Sequence, residues 1–165
     1  MVIHPDGSVL MIFKARSYEG NTYSPMSLGV AYAKNISGPY KVLNNKQPVF
    51  NAKLTGELED PFLWKDTRDY HLVFKDHKAK YTQELGGGVL AHSADGVHWQ
   101  MDANSKAYSK TIQWNDGVIE HRGQLERPFI LFENNKPCCM YFSTMDGIGG
   151  FENGTCSGVM AIPFN

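Results

Sequence analysis

One unit occurs twice in this sequence, and few folds accommodate it. Gly56-Glu57-Leu58-Glu59-Asp60-Pro61-Phe62-Leu63-Trp64 is echoed by Leu125-Glu126-Arg127-Pro128-Phe129-Ile130-Leu131. Each copy opens on charged residues and runs through Pro-Phe into an apolar stretch. A polar turn follows (Lys65 to Asp69, Glu133 to Lys136), then a second apolar run (Tyr70 to Phe74, Cys138 to Phe142). Units that recur along a chain stack as equivalent supersecondary elements, so a repeat architecture is expected. Two copies that open on acids predict an acidic site at its centre.

The repeat extends beyond that unit. Val9-Leu10-Met11-Ile12-Phe13-Lys14 matches Tyr70-His71-Leu72-Val73-Phe74-Lys75 and Cys138-Cys139-Met140-Tyr141-Phe142-Ser143. Leu28-Gly29-Val30-Ala31-Tyr32-Ala33 matches Gly87-Gly88-Val89-Leu90-Ala91-His92 and Ser157-Gly158-Val159-Met160-Ala161-Ile162. A fourth element, a Gly turn followed by an aromatic, recurs at Ser37 to Val42 and Ala94 to Trp99 and reads as a tight hairpin into an outer strand. The runs are short, rich in Val, Ile, Tyr, Phe and Trp, and none keeps a helical period for three turns. The chain therefore reads as all-β, a partial β-propeller of about three four-stranded blades. A sandwich or jelly roll with accidental similarity is the alternative. The blades of this single domain, 1–165, fall approximately at 1–50, 57–110 and 123–165.

The register leaves the outer blades frayed. Val2-Ile3-His4 corresponds to Phe62-Leu63-Trp64 without the polar-Pro start, and the last blade stops in or just after its third strand. Propellers close with about four to eight blades, and open sheet edges recruit other strands. A truncated propeller completed by self-association is expected, most simply as a two-fold homodimer.

Composition narrows the function classes. A net charge of −1 over 165 residues gives no basic surface for nucleic acid or anionic lipid. No apolar run approaches the roughly 18 residues of a membrane span. Met1 to Asp6 shows neither a basic n-region nor an apolar h-region, so no signal peptide is visible and a cytoplasmic location is expected as the chain stands. Cys138 and Cys139 alternate in a strand, and with Cys156 they are read as three reduced thiols, although Cys156 could reach one of the pair. Met101 to Leu125 reads as a long irregular connection, either a site-lining loop or a solvated connector. Arg16 to Ser27 reads as a rim loop.

Taken together, Glu59-Asp60-Pro61-Phe62-Leu63-Trp64, Tyr70 to Asp76, Ser93-Ala94-Asp95-Gly96-Val97-His98-Trp99 and Glu126-Arg127-Pro128-Phe129 resemble the five-bladed β-propeller glycoside hydrolases. The resemblance is to the family 43 group and its relatives in families 32, 62, 68 and 117. It implies cleavage of a terminal sugar by three carboxylates: an Asp base, an Asp that tunes pKa and orients the sugar, and a Glu acid. By this resemblance Asp60 matches the second and Glu126, at the same place in the next blade, matches the acid. The matching base would lie upstream of Met1. The resemblance implies no organic cofactor, although calcium fills the channel in some relatives.

The residues support the same chemistry independently. Strand starts converge on a propeller's channel, and crowded, partly buried carboxylates raise one pKa into the range of a useful acid. Glycosidic cleavage needs that proton donor and a second carboxylate for water or for the oxocarbenium charge. Glu126 is the expected acid and Asp60 the orienting or stabilising partner. Arg127 can pair with Glu126 or bind a sugar. Strand alternation puts Glu59 and Asp60 on opposite faces, so only one, preferably Asp60, faces the channel. Lys75, His77, His121 and Arg122 are candidate sugar contacts, with a surface role for Lys75 equally open. Trp114 is the preferred stacking platform, because Trp64 and Trp99 lie in strands. Glu120, Asp116, Asp6 and Glu57 are the candidates for a third carboxylate. His and Cys spacings give no zinc motif, and no nucleophile elbow, P-loop or dinucleotide fingerprint occurs. The reading is a glycosidase of β-galactoside, arabinofuranoside or xyloside type. The alternative is a carbohydrate-binding or scaffold propeller fragment without the base.

Overall fold

The computed structural model describes residues 1–164. Its strands are β1 (Val2–Ile3), β2 (Val9–Ala15), β3 (Tyr18–Glu19), β4 (Thr22–Tyr23), β5 (Ser27–Ala33) and β6 (Lys41–Val42), then β7 (Leu58–Lys65), β8 (Tyr70–Asp76), β9 (Gly87–Ser93) and β10 (Gln100–Tyr108). β11 (Thr111–Gln113), β12 (Ile119–His121), β13 (Gln124–Glu133), β14 (Lys136–Met145) and β15 (Ser157–Pro163) complete them. Three antiparallel sheets follow in chain order: β1-β2-β5-β6, β7-β8-β9-β10 and β13-β14-β15. The all-β, propeller-like architecture expected from the repeat is the one observed. A single turn of helix, α1 (Ala52–Thr55), links the first two sheets, and no helix among the described residues is long and apolar enough to cross a membrane.

The middle sheet is buried on both faces, which explains the unbroken apolar run of β8. Leu72 and Phe74 point to the first sheet and join Leu10, Ile12, Leu28, Val30 and Val89 in one core. Val73, one residue out of phase, joins Leu125, Ile130, Met140 and Phe142 in a second core under the third sheet. Lys75 shares the parity of Val73. Its side chain is thereby directed at the third sheet and buried, with 5% of the residue exposed. A surface role for Lys75 is excluded.

Two expectations about the connections change. Met101 to Leu125 is not irregular: β10 continues to Tyr108 through two register shifts, and β11 and β12 form a hairpin. Bulges interrupted the alternation by which a strand would be read. Arg16 to Ser27 carries the small β3-β4 hairpin. The Ser-Ala-Asp-Gly-Val-His-Trp turn is closed by Asp95, which accepts from the amides of Val97 and His98 at 2.8 Å each. The three cysteines are free thiols.

Candidate active site

The two Pro-Phe strands lie side by side. Phe62 and Phe129, equivalent positions of β7 and β13, meet edge to face at 5.0 Å. Immediately before each Pro the chain turns left-handed, with φ of 51° at Asp60 and 53° at Arg127. The ladders slip at the same points, between Glu59 and Phe62 and between Glu126 and Phe129. This register corrects the alignment of the acids. Glu126 corresponds to Glu59, and Arg127 corresponds to Asp60. Counting back from Pro61 and Pro128 gives that match directly from the sequence. The slip also breaks strict alternation, so Glu59 and Asp60 both reach the shared site rather than excluding one another.

The centre of the site is the Lys75 ammonium. It donates to both carboxylate oxygens of Glu126 at 2.8 Å and lies 3.1 Å from Glu59 Oε2. Burial works against its charge, but Glu126 and then Glu59 outweigh it, and Lys75 is held above the ordinary lysine range. His77 Nδ1 approaches Glu59 Oε2 at 3.5 Å. Asp60 bridges to the other sheets: Oδ1 accepts from Lys14 Nζ at 3.0 Å, and Oδ2 accepts from the Arg127 amide at 3.3 Å. Burial raises the pKa of Asp60, yet Lys14, Lys75 and Glu126 lower it by more, and its carboxyl sits below the usual range. Three carboxylates and two ammonium groups thus carry a formal charge of −1, drawn from all three sheets.

Tyr108 stands behind this cluster. Glu59 pairs with Lys75, Lys75 with Gly88, and Gly88 with Tyr108, forming one row across the middle sheet. Gly88 has no side chain, and the Tyr108 ring lies over it; a Cβ there would stand 2.0 Å from the ring. The ring packs edge to face on Phe142 at 4.7 Å. Its hydroxyl is buried without a hydrogen-bond partner among the described residues. Burial first, then the charges of Glu126, Asp60 and Glu84, push the phenol well above the ordinary tyrosine range.

Other expected site residues lie elsewhere. Arg127 contributes its amide to the cluster, and its exposed side chain lines a cleft of about 470 Å³ with Glu126. His121 lines a second cleft beside Lys75 and His77, and its Nδ1 is 2.9 Å from Thr111 Oγ1. Arg122 is a fastener: its guanidinium holds Glu120 and Thr144 Oγ1. Trp114 donates to Glu120 Oε2 at 2.9 Å, on the β11-β12 hairpin. Neither Arg122 nor Trp114 contacts the cluster.

None of the four nominated third carboxylates contacts the cluster either. Glu57 accepts from the Met26 amide, Asp6 from Ser8, Asp116 from the Val118 amide, and Glu120 pairs with Arg122. The third carboxylate is Glu59. Lys14 and Tyr108 were missed as well. Lys14 had a signal, because it occupies the place of Lys75 in the aligned Phe-Lys pairs. Among the described residues no group of His, Cys, Asp or Glu is arranged to hold a metal ion. Calcium does not fit here, because an ammonium already occupies the point where Glu59 and Glu126 converge.

Adjacent antiparallel sheets whose neighbouring edge strands deliver acids to one point make a propeller-like arrangement with a carboxylate cluster where the sheets meet. Solved structures place the fold more narrowly. The Bombyx mori GH32 β-fructofuranosidase BmSUC1 matches with a TM-score of 0.59 at 15% identity, over 98% of this chain and 32% of its own. A structure of a BT0996 RGII complex matches with 0.64 at 13% identity, over 94% of this chain and 41% of its own. A third, described as a glycoside hydrolase, matches with 0.59 at 14% identity, over 91% and 40%. These likenesses show a fold shared with those structures, and the chain spans less than half the length of each. No family model and no curated protein matches the sequence.

Proposed function

We propose that this chain is a glycoside hydrolase that cleaves a terminal sugar, with the three-carboxylate scheme of the family 43 group. The observation that carries the reading is the meeting of Glu59, Asp60 and Glu126 around Lys75. Glu126 protonates the leaving glycosidic oxygen. Asp60, kept ionised by Lys14, orients the sugar and stabilises positive charge at the anomeric carbon. Glu59 takes the proton of the attacking water. Lys75 must move off Glu126 toward Glu59 so that Glu126 takes up a proton from solvent and delivers it to the leaving oxygen, while the proton Glu59 takes from the attacking water returns to solvent.

A second reading, sugar binding without turnover, is favoured by one feature. Lys75 engages both oxygens of Glu126, which leaves the acid little freedom to exchange protons. The test is turnover of a panel of nitrophenyl β-galactosides, arabinofuranosides, xylosides, uronides and sulfated galactosides by the native chain and by Glu126→Gln. Hydrolysis that falls at least about 100-fold in the variant supports the enzyme. No hydrolysis by the native chain, or hydrolysis that survives the substitution, rejects it.

Self-association is part of the proposal. Among the described residues no strand pairs with the outer edge of β15, and Val159 on it is largely exposed. Light scattering that returns a single-chain mass across the micromolar range rejects it.

A further inference from the structure

The cleft beside the carboxylate cluster has a charge of the opposite sign. About 670 Å³ in volume, it is lined by Lys75, His77, Lys78, Glu84, Lys110 and His121 among others. The pairing of these groups is uneven. Lys75 is engaged by Glu59 and Glu126. The Glu84 carboxylate is fully occupied: Oε2 holds Lys106 Nζ at 2.9 Å and Ser109 Oγ at 2.8 Å, and Oε1 accepts from the Lys110 amide at 2.9 Å. Among the described residues Lys110 Nζ meets only the neutral carbonyl of Gly123, at 3.1 Å. Lys78 is exposed and has no side-chain partner among the described residues. His77 and His121 use Nδ1 on Glu59 and Thr111, which leaves each Nε2 for a ligand hydroxyl. The cleft therefore presents two ammonium groups with no carboxylate of their own, next to a cluster that is formally negative.

A neutral sugar has no group that matches two unpaired ammonium ions, whereas a carboxylate or sulfate ester does. We propose that this cleft binds an anionic group carried by the sugar, so that the substrate is an acidic glycoside, a uronide or a sulfated sugar. The inference rests on the glycosidase reading for the position of the bond to be cleaved, but the binding preference stands apart from turnover. Lys110 and Lys78 are specificity residues here.

The test is equilibrium binding, by calorimetry or chemical-shift perturbation, of galacturonate, galactose 6-sulfate and galactose to the native chain. The same ligands are titrated into Lys110→Met, Lys78→Gln and Glu126→Gln. At least one anionic sugar is expected to bind about tenfold more tightly than galactose, the scale of one well-placed charge pair. The preference should shrink as salt rises, fall in Lys110→Met and Lys78→Gln, and persist in Glu126→Gln. Whichever anion binds more tightly names the source of the charge. Equal or weaker binding of both anions, or a preference untouched in both lysine variants, overturns the inference. Lys78→Gln guards against misfolding of Lys110→Met, because Lys78 is exposed. Hydrolysis of neutral glycosides without anion preference rejects this inference alone. Anion preference without hydrolysis of any nitrophenyl uronide or sulfated galactoside rejects the glycosidase reading alone.

Discussion

The Arg127 amide donates to Asp60 Oδ2 at 3.3 Å, and both residues are left-handed, with φ of 53° and 51°. The two positions are equivalent, one residue before the Pro of each repeat. An L-residue in this region costs about 1–2 kcal/mol, of which glycine would recover all but its own larger unfolded-state entropy of about 0.5–1 kcal/mol. The contact to Asp60 is made by the backbone. Arg127→Gly therefore keeps it, and the variant should gain up to about 1 kcal/mol in urea unfolding. A lower unfolding midpoint would show that the guanidinium, not the backbone, stabilises this corner.

Lys75 is the group whose loss should cost most. Its removal leaves Glu59 and Glu126 facing each other at a nearly dry position. Breaking a buried ion pair from one side costs about 3 kcal/mol or more. Lys75→Met should lose stability on that scale near neutral pH. The loss should shrink on acidification, and also when Glu126→Gln is added to the same chain. A double variant as unstable as the sum of the two single ones would show that the carboxylates do not act on each other through Lys75.

Tyr108 and Gly88 give opposite expectations from one contact. The Tyr108 hydroxyl is buried with no partner, so Tyr108→Phe removes an unsatisfied group and should leave stability unchanged or raise it by about 1 kcal/mol. Gly88→Ala places a Cβ 2.0 Å from the ring and should destabilise by about 1–3 kcal/mol through overpacking. Thermal unfolding of both variants decides the point. Destabilisation by Tyr108→Phe would mean that the hydroxyl has a hydrogen bond in solution.

The repeat made the fold legible. The Phe-Lys, Gly-Val and Pro-Phe matches put the second, third and first strands of successive sheets in order from residue type and spacing alone. They also point to Glu126 and Asp60 as the central acids, with Lys75 and His77 as candidate contacts beside them. What escaped was local geometry. Strict alternation placed Glu59 and Asp60 on opposite faces, because a left-handed residue before Pro cannot be read from residue type alone. The sequence leaves Lys75 open between a sugar contact and the surface, because its burial depends on a third sheet about fifty residues away. Tyr108 was hidden inside an apparently irregular segment, where bulges had erased the period of two. Arg122 and Trp114 drew attention through residue type, but their partners, Glu120 and Thr144, lie in or beside the hairpin.

Acid should unfold this chain through its turn carboxylates. Asp146 accepts from Thr155 and from the amides of Thr155 and Cys156, which lower its pKa from 3.8 to about 2. Asp66 and Asp95 cap their own turns and lie further below the ordinary range, and Asp60 is lowered by Lys14. In each case the unfolded chain takes up the proton first as pH falls. The stabilisation is complete above pH values near 3.8 and is lost progressively toward about 2. Lys75 acts at the other end. Its raised pKa adds stability below the ordinary lysine range, and that contribution disappears as pH rises through the folded value. Calorimetric melting from acid to alkali should show a broad plateau with a steep fall on the acid side. Asp146→Asn should flatten the acid limb between about 4 and about 2 and lower the plateau, because the ionised carboxylate's contribution is lost there. An unchanged acid limb in that variant would show that the Asp146 turn opens before the chain unfolds.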